Sequence, residues 1–170
     1  VHHEEGVRIL TDVTVEALQG ERAVQSVRLA NGEVLPADLV IIGVGVVAET
    51  TLAEQAGLEV EDGTCVDEFT RPSPPGIVAV GDCTRHFTRH YGRRLRLESV
   101  QNALDQAKVA ARTLCGNLEA YDALPWFWSD QFDVKLQIAG LSQGYNRTVI
   151  RGDWQSGRSF AVFYFLGERL

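Results

Sequence analysis

GIVAVGDC, Gly76 to Cys83, followed by RRLRLESVQNALDQAK, Arg93 to Lys108, is the stretch whose reading decides the fold. Ile77 to Val80 is a continuous apolar run, the signature of a strand covered on both faces. It runs into Gly81-Asp82, which sets a carboxylate at the carboxyl edge of a sheet, where open α/β folds bind ligands. The glycine lets a ligand approach the backbone closely, and the aspartate can accept hydrogen bonds from sugar-type hydroxyls. A plain Asp-initiated turn after a strand leaves the same trace. Downstream, Val100, Ala103, Leu104, Ala107, Ala110, Ala111 and Leu114 form an apolar stripe at helical spacing, with Ser99 as N-cap and Gly116 as stop. The amino end of that helix offers unpaired N–H groups and a positive dipole end that stabilises negative charge. An ordinary capped amphipathic helix carries the same signature.

Working outward, the segment from Val7 to Gly45 is β-rich. Val7, Ile9, Val13 and Val15 suggest extended chain. Val24 to Leu35 predicts a hairpin at Asn31-Gly32, a pair suited to a turn with both central residues at positive φ. Leu39 to Ile42 predicts a second strand buried on both faces. Thr51 to Gln55 predicts a short helix ended by Gly57, and Leu58 to Val66 a hairpin turning at Asp62-Gly63. The last third is aromatic and strand-prone, with strands expected over 135–140, 148–151 and 160–165 in a small antiparallel sheet. No repeat or low-complexity segment interrupts this order.

Composition bounds the function. Net charge is −7, against general nucleic-acid binding, which needs a broad basic surface. No apolar run reaches the roughly 20 residues needed to span a bilayer. Three widely spaced cysteines without a CxxC point to reduced thiols in the cytoplasm and give no dithiol for disulfide exchange. His2, His3, His86 and His90 lack the neighbours of a metal site, so no metal is expected. The chain lacks an initiator methionine and ends in Leu-Gly-Glu-Arg-Leu just after a strand, so a boundary or truncation is expected at both ends.

The order GIVAVGDC, basic segment, LESVQNALDQAK and LPWFWSDQF (Leu124 to Phe132) resembles the ferredoxin reductase components of Rieske-type aromatic-ring dioxygenases. Putidaredoxin and rubredoxin reductases belong to that group, with apoptosis-inducing factor more distant. The Gly-Asp strand is shared across the two-dinucleotide-binding flavoproteins, whereas LESVQNA and PWFWSDQ together are specific to the reductases. The resemblance covers nearly the whole chain. It implies an α/β fold, α+β in the last third: a partial two-dinucleotide-binding flavoprotein fold plus part of an antiparallel-sheet carboxy-terminal domain. Residues 1–45 would be the end of the NAD-binding domain, 46–116 the second half of the FAD-binding domain, and 117–170 part of the carboxy-terminal reductase domain.

The implied activity passes electrons from NAD(P)H through FAD to a ferredoxin-type iron–sulfur protein, in aromatic hydrocarbon catabolism. By the same resemblance Asp82, with Gly81, binds the FAD ribityl chain, and the Val100 N–H meets the flavin pyrimidine edge. Glu98 faces the nicotinamide carboxamide, and Trp128 lies beside the flavin ring. Trp126 has a similar aromatic character, and core filling is the plainer reading of both tryptophans. Gly43 and Gly45 resemble the glycines where the NAD domain returns the chain to the FAD domain. No general acid or nucleophile is required, since the cofactor carries the chemistry.

Three departures from the family accompany these matches. Ala48 stands where a proline is usual, Pro72 where a threonine commonly precedes the Gly-Asp strand, and neither GxGxxG phosphate turn is present. Without those turns the chain is expected to hold FAD weakly or not at all and to be inactive by itself. Between Cys83 and Glu98 lie Arg85, Arg89, Arg93, Arg94 and Arg96 with no acid among them. This basic loop could steer an acidic ferredoxin or bind phosphates and carboxylates within the protein. Two rivals stand beside the reductase: a disulfide reductase or NADH oxidase of the same superfamily, and an inactive folded module without FAD that self-associates through exposed core as a homo-oligomer.

Overall fold

The computed structural model describes residues 1–155 and 157–170. Contacts divide the chain into two compact units, Val1–Val46 and Val47–Leu170. In the first, strands β1 (Val15–Gln19), β2 (Ser26–Leu29) and β3 (Val34–Pro36) form an antiparallel sheet in sequence order. Val7, Ile9 and Val13 lie outside it. The β2–β3 hairpin turns at Asn31-Gly32 as expected, but only Gly32 has positive φ (88°). Leu29 donates its N–H to Glu33 O (2.8 Å) and accepts from Gly32 N (2.9 Å), which closes a three-residue loop with glycine in the left-handed position. Asn31 stays at negative φ and accepts from Glu33 N through Oδ1 (3.0 Å).

The buried strand expected over Leu39–Ile42 does not form. These residues pair with no described strand, and Ile41 is 87% exposed. Ile77–Val80 likewise joins no ladder; Ala79 N–H donates to Thr70 O (2.9 Å). Both runs have the composition of central strands, and that composition is realised only when neighbours cover both faces.

The second unit opens with helix α1 (Thr51–Gln55). Val60 bridges Thr64 across the Asp62-Gly63 turn, where both residues have positive φ. Strand β4 (Thr64–Val66) then pairs in parallel with β5 (Thr84–Thr88), which pairs antiparallel with β6 (Arg93–Leu95). The expected basic loop is therefore a hairpin. Thr84, His86 and Thr88 alternate inward and are buried, while the arginines face outward to varying degrees.

Helix α2 (Val100–Leu114) has the expected bounds, and Ser99 Oγ caps it by accepting from Asn102 N (3.2 Å). The face it buries differs from the expected stripe. Asn102, Gln106, Val109 and Ala110 are buried, while Val100, Leu104 and Leu114 are more than half exposed. Two amides hydrogen-bond to β5, to Gly81 and to Tyr121, and these bonds fix the rotation of the helix. Strands β7 (Trp126–Gln131) and β8 (Val134–Ala139) form one antiparallel pair, and β9 (Arg147–Gly152) and β10 (Phe160–Phe165) another. The one small sheet expected in the last third is thus two hairpins, and PWFWSDQ supplies a strand. No described helix is long and apolar enough to cross a membrane.

Candidate functional site

The Gly81–Cys83 segment is a single 3-10 turn entered from extended Val80. Gly81 is buried with φ of 80°, a conformation glycine adopts without strain, and a Cβ there would sit 3.6 Å from Ala103 Cβ. The turn therefore packs against the first turns of α2. Asp82 is exposed, and its carboxylate accepts no hydrogen bond from any described residue.

A buried polar network holds this junction. Gln106, fully buried, accepts at Oε1 from Gly81 N (2.7 Å) and from the Thr84 hydroxyl (3.0 Å), which also donates to Gly81 O (2.8 Å). Its Nε2 meets His86 Nδ1 at 3.1 Å, and Tyr121 lies edge-on to the His86 ring at 5.0 Å. Tyr121 donates its hydroxyl to Asn102 Oδ1 (2.9 Å), and Asn102 Nδ2 donates to Leu97 O (3.2 Å). Burial lowers the basicity of His86 and, reinforced by Asp105, pushes the Tyr121 hydroxyl up to about 12. Both rings are neutral at physiological pH.

At the amino end of α2 the N–H groups of Val100 and Gln101 donate to no described residue, so two amides and the positive helix end face outward. Arg96, just after β6, reaches to Asp62 (3.1 Å), to the Asp82 carbonyl (3.4 Å) and to the exposed Glu98 carboxylate. The Gln101 side chain accepts from Trp126 N (3.3 Å), which ties β7 to the same turn. Trp126 stacks on Trp128 with centroids 5.1 Å apart, and the pair lines a cleft of about 180 Å³ with Asp130, Lys135, Leu136 and Gln137.

The structure thus gathers Gly81, Asp82, Glu98 and Val100 around the first turn of α2, with the strand bearing Trp128 attached to it. Gly43 and Gly45 stand in the Val1–Val46 unit, where a Cβ on either would meet open space. The larger cleft, about 380 Å³, lies among Glu59, Cys65, Arg71, Arg94 and Pro72–Pro75 and contains none of these residues. Sequence reasoning missed Gln106, His86, Asn102 and Tyr121. Their signal was present in the Thr-x-His-x-Thr alternation and in two amides four residues apart on one helix face. Among the described residues no group of three or more His, Cys, Asp or Glu could hold a metal ion.

Residues 1–107 match the family described as pyridine nucleotide-disulphide oxidoreductase, and residues 126–170 match the reductase C-terminal family. The chain belongs to the pyridine nucleotide-disulphide oxidoreductases. This family member is 43% identical to putidaredoxin reductase of Pseudomonas putida, over 100% of the chain and 41% of that protein. It superposes on a crystal structure of a ferredoxin reductase from Rhodopseudomonas palustris with TM-score 0.89 and 43% identity, covering 96% of this chain and 41% of that one. For the crystal structure of a covalent putidaredoxin reductase–putidaredoxin complex the TM-score is 0.92 at 43% identity, covering 98% and 40%. The resemblance to ferredoxin reductases and the mixed α/β fold it implied are those of these relatives. The chain spans about two fifths of the length of the relatives it matches.

Proposed function

We propose that this chain forms part of a flavoprotein that takes electrons from NAD(P)H onto FAD and delivers them to a small iron–sulfur protein, in the cytoplasm and in the service of aromatic-compound oxidation. One observation carries the reading: a carboxylate and two helix-end amides that no described residue engages, with a stacked tryptophan pair, are tied to a single helical turn. These groups fit FAD. The Asp82 carboxylate can accept from ribityl hydroxyls, and the buried Gly81 lets the cofactor approach the backbone. The Val100 amide and the α2 dipole can hold negative charge at the flavin pyrimidine edge. When bound, FAD supplies the conversion of a hydride donor into single-electron delivery. Glu98, held by Arg96, is oriented to accept from a nicotinamide carboxamide, and Trp128 shields one side of the site from water.

In this reading residues 1–45 are the end of an NAD-binding domain and bring Gly43 and Gly45 to its return crossing, 46–116 are the second half of an FAD-binding domain, and 117–170 are part of the carboxy-terminal reductase domain. The β5–β6 hairpin supplies the docking charge for an acidic ferredoxin. Arg85 is paired with Glu61, whereas the hydrogen bond of Arg93 to the neutral Gln143 leaves its charge in place, so Arg89, Arg93 and Arg94 carry most of the attraction. The disulfide reductase or NADH oxidase alternative is disfavoured by the reductase C-terminal match over 126–170. The exposed α2 stripe supports self-association of the isolated chain.

The test is NADH-driven reduction of a ferredoxin, a disulfide and oxygen by the full-length protein, with its visible spectrum. A yellow protein that reduces ferredoxin fastest supports the proposal. A colourless protein, or one that prefers the disulfide or oxygen, overturns it.

A further inference from the structure

We propose that Gln106 is a positioning residue for the flavin ribityl site: it fixes the Gly81–Asp82 turn against α2, and His86 fixes Gln106. The inference rests on the flavin reading above. A fully buried amide must be paired, and that of Gln106 has two donors on one side and a ring nitrogen on the other. Gly81 N–H requires an acceptor, so the oxygen faces it and the NH2 faces His86. His86 Nδ1 is then an acceptor, and the ring is the neutral tautomer with its proton on Nε2. A proton on Nδ1 would set two donors face to face. Turning the amide to relieve that would point its NH2 at the Gly81 N–H.

The turn is closed on its own side by the Thr84 hydroxyl and N–H on Gly81 O, and its ties to α2 are few. Gly81 has no side chain to fix its backbone, and no described residue bonds to the Asp82 carboxylate. The Arg96 contact to the Asp82 carbonyl is long at 3.4 Å. The Gln106–Gly81 bond of 2.7 Å therefore ties the turn to α2 and helps set where the Asp82 carboxylate projects. Around His86 the register partners are Val66 and Leu95, with Gln106 from α2 and Tyr121 edge-on. Of these only Tyr121 titrates, and with its hydroxyl at about 12 under burial and the influence of Asp105 it stays neutral.

The experiment measures FAD dissociation constants and far-UV thermal melts on the full-length protein as wild type, Gln106→Leu, Gln106→Glu and Asp82→Asn. Gln106→Leu removes the acceptor and is expected to weaken FAD by at least about tenfold in a folded protein. Gln106→Glu restores the acceptor but needs one proton shared with His86. It is expected to bind within about threefold of wild type at mildly acidic pH and to lose affinity as rising pH removes that proton, where wild type does not. A folded Gln106→Leu with wild-type affinity overturns the inference. So does a Gln106→Glu profile parallel to wild type, which decides alone should the leucine variant not fold. A wild type that binds no FAD, or an Asp82→Asn that binds like wild type, overturns the flavin reading and this inference with it. Weakened Asp82→Asn beside unchanged Gln106→Leu overturns only the role of Gln106.

Discussion

At the scale of single residues, a carboxylate with no partner among the described residues is available to a ligand, and Asp82 is such a group. Asp82→Ala is expected to leave stability within about 0.5 kcal/mol, as surface substitutions do, while weakening FAD at least about tenfold. Thermal melts and flavin fluorescence titration check the two halves. Gly81→Ala behaves differently. Its Cβ has room, but the left-handed backbone costs about 1 kcal/mol for a residue with a side chain, measurable by urea unfolding. His86 gives the pH dependence. Burial lowers its pKa, so as pH falls through the ordinary imidazole range the unfolded chain takes up a proton before the folded one. Stability is full above that range and declines as pH drops toward the folded value; urea midpoints across pH should show this, and His86→Asn should flatten it. At this scale the places of Asp82 in a turn after an apolar run and of Val100 at a helix start were legible, because Gly-Asp turns and helix caps have sequence signs. Gln106 and His86 were not, because a buried amide and imidazole look polar and therefore exposed until their partners are known.

At the scale of elements, α2 was legible to the residue because Ser99 and Gly116 are strong local signals, and its orientation was not. The apolar stripe predicted one buried face, and the hydrogen bonds of Asn102 and Gln106 turned another inward. Unpaired, those two amides would each cost a few kcal/mol to bury, more than the exposed Leu104 and Leu114 lose. The β5 strand was hidden for the same reason, since threonine and histidine supply its inward period. Leu39–Ile42 and Ile77–Val80 failed in the opposite sense: apolar composition names a central strand, but ladder bonds need neighbours. The cap itself is testable. Ser99→Ala should destabilise the Val47–Leu170 unit by about 1 kcal/mol in urea unfolding, and Ser99→Asp should restore it.

For the whole molecule, the charge balance of −7 is locally inverted on the β5–β6 hairpin. Arg89→Glu with Arg94→Glu should slow ferredoxin reduction by about tenfold at low salt and by less as ionic strength rises, with NADH oxidation by an uncharged acceptor unchanged. Stopped-flow kinetics at several salt concentrations reads this. One placement is central: the Asp82 carboxylate and the first amides of α2, which no described residue engages, serve the same cofactor. A crystal structure of the full-length protein loaded with FAD tests it most directly. The account predicts the ribityl hydroxyls at Asp82, the pyrimidine edge at the Val100 N–H and Trp128 beside the ring. Flavin bound elsewhere, or protein side chains occupying the α2 amino end, would contradict it.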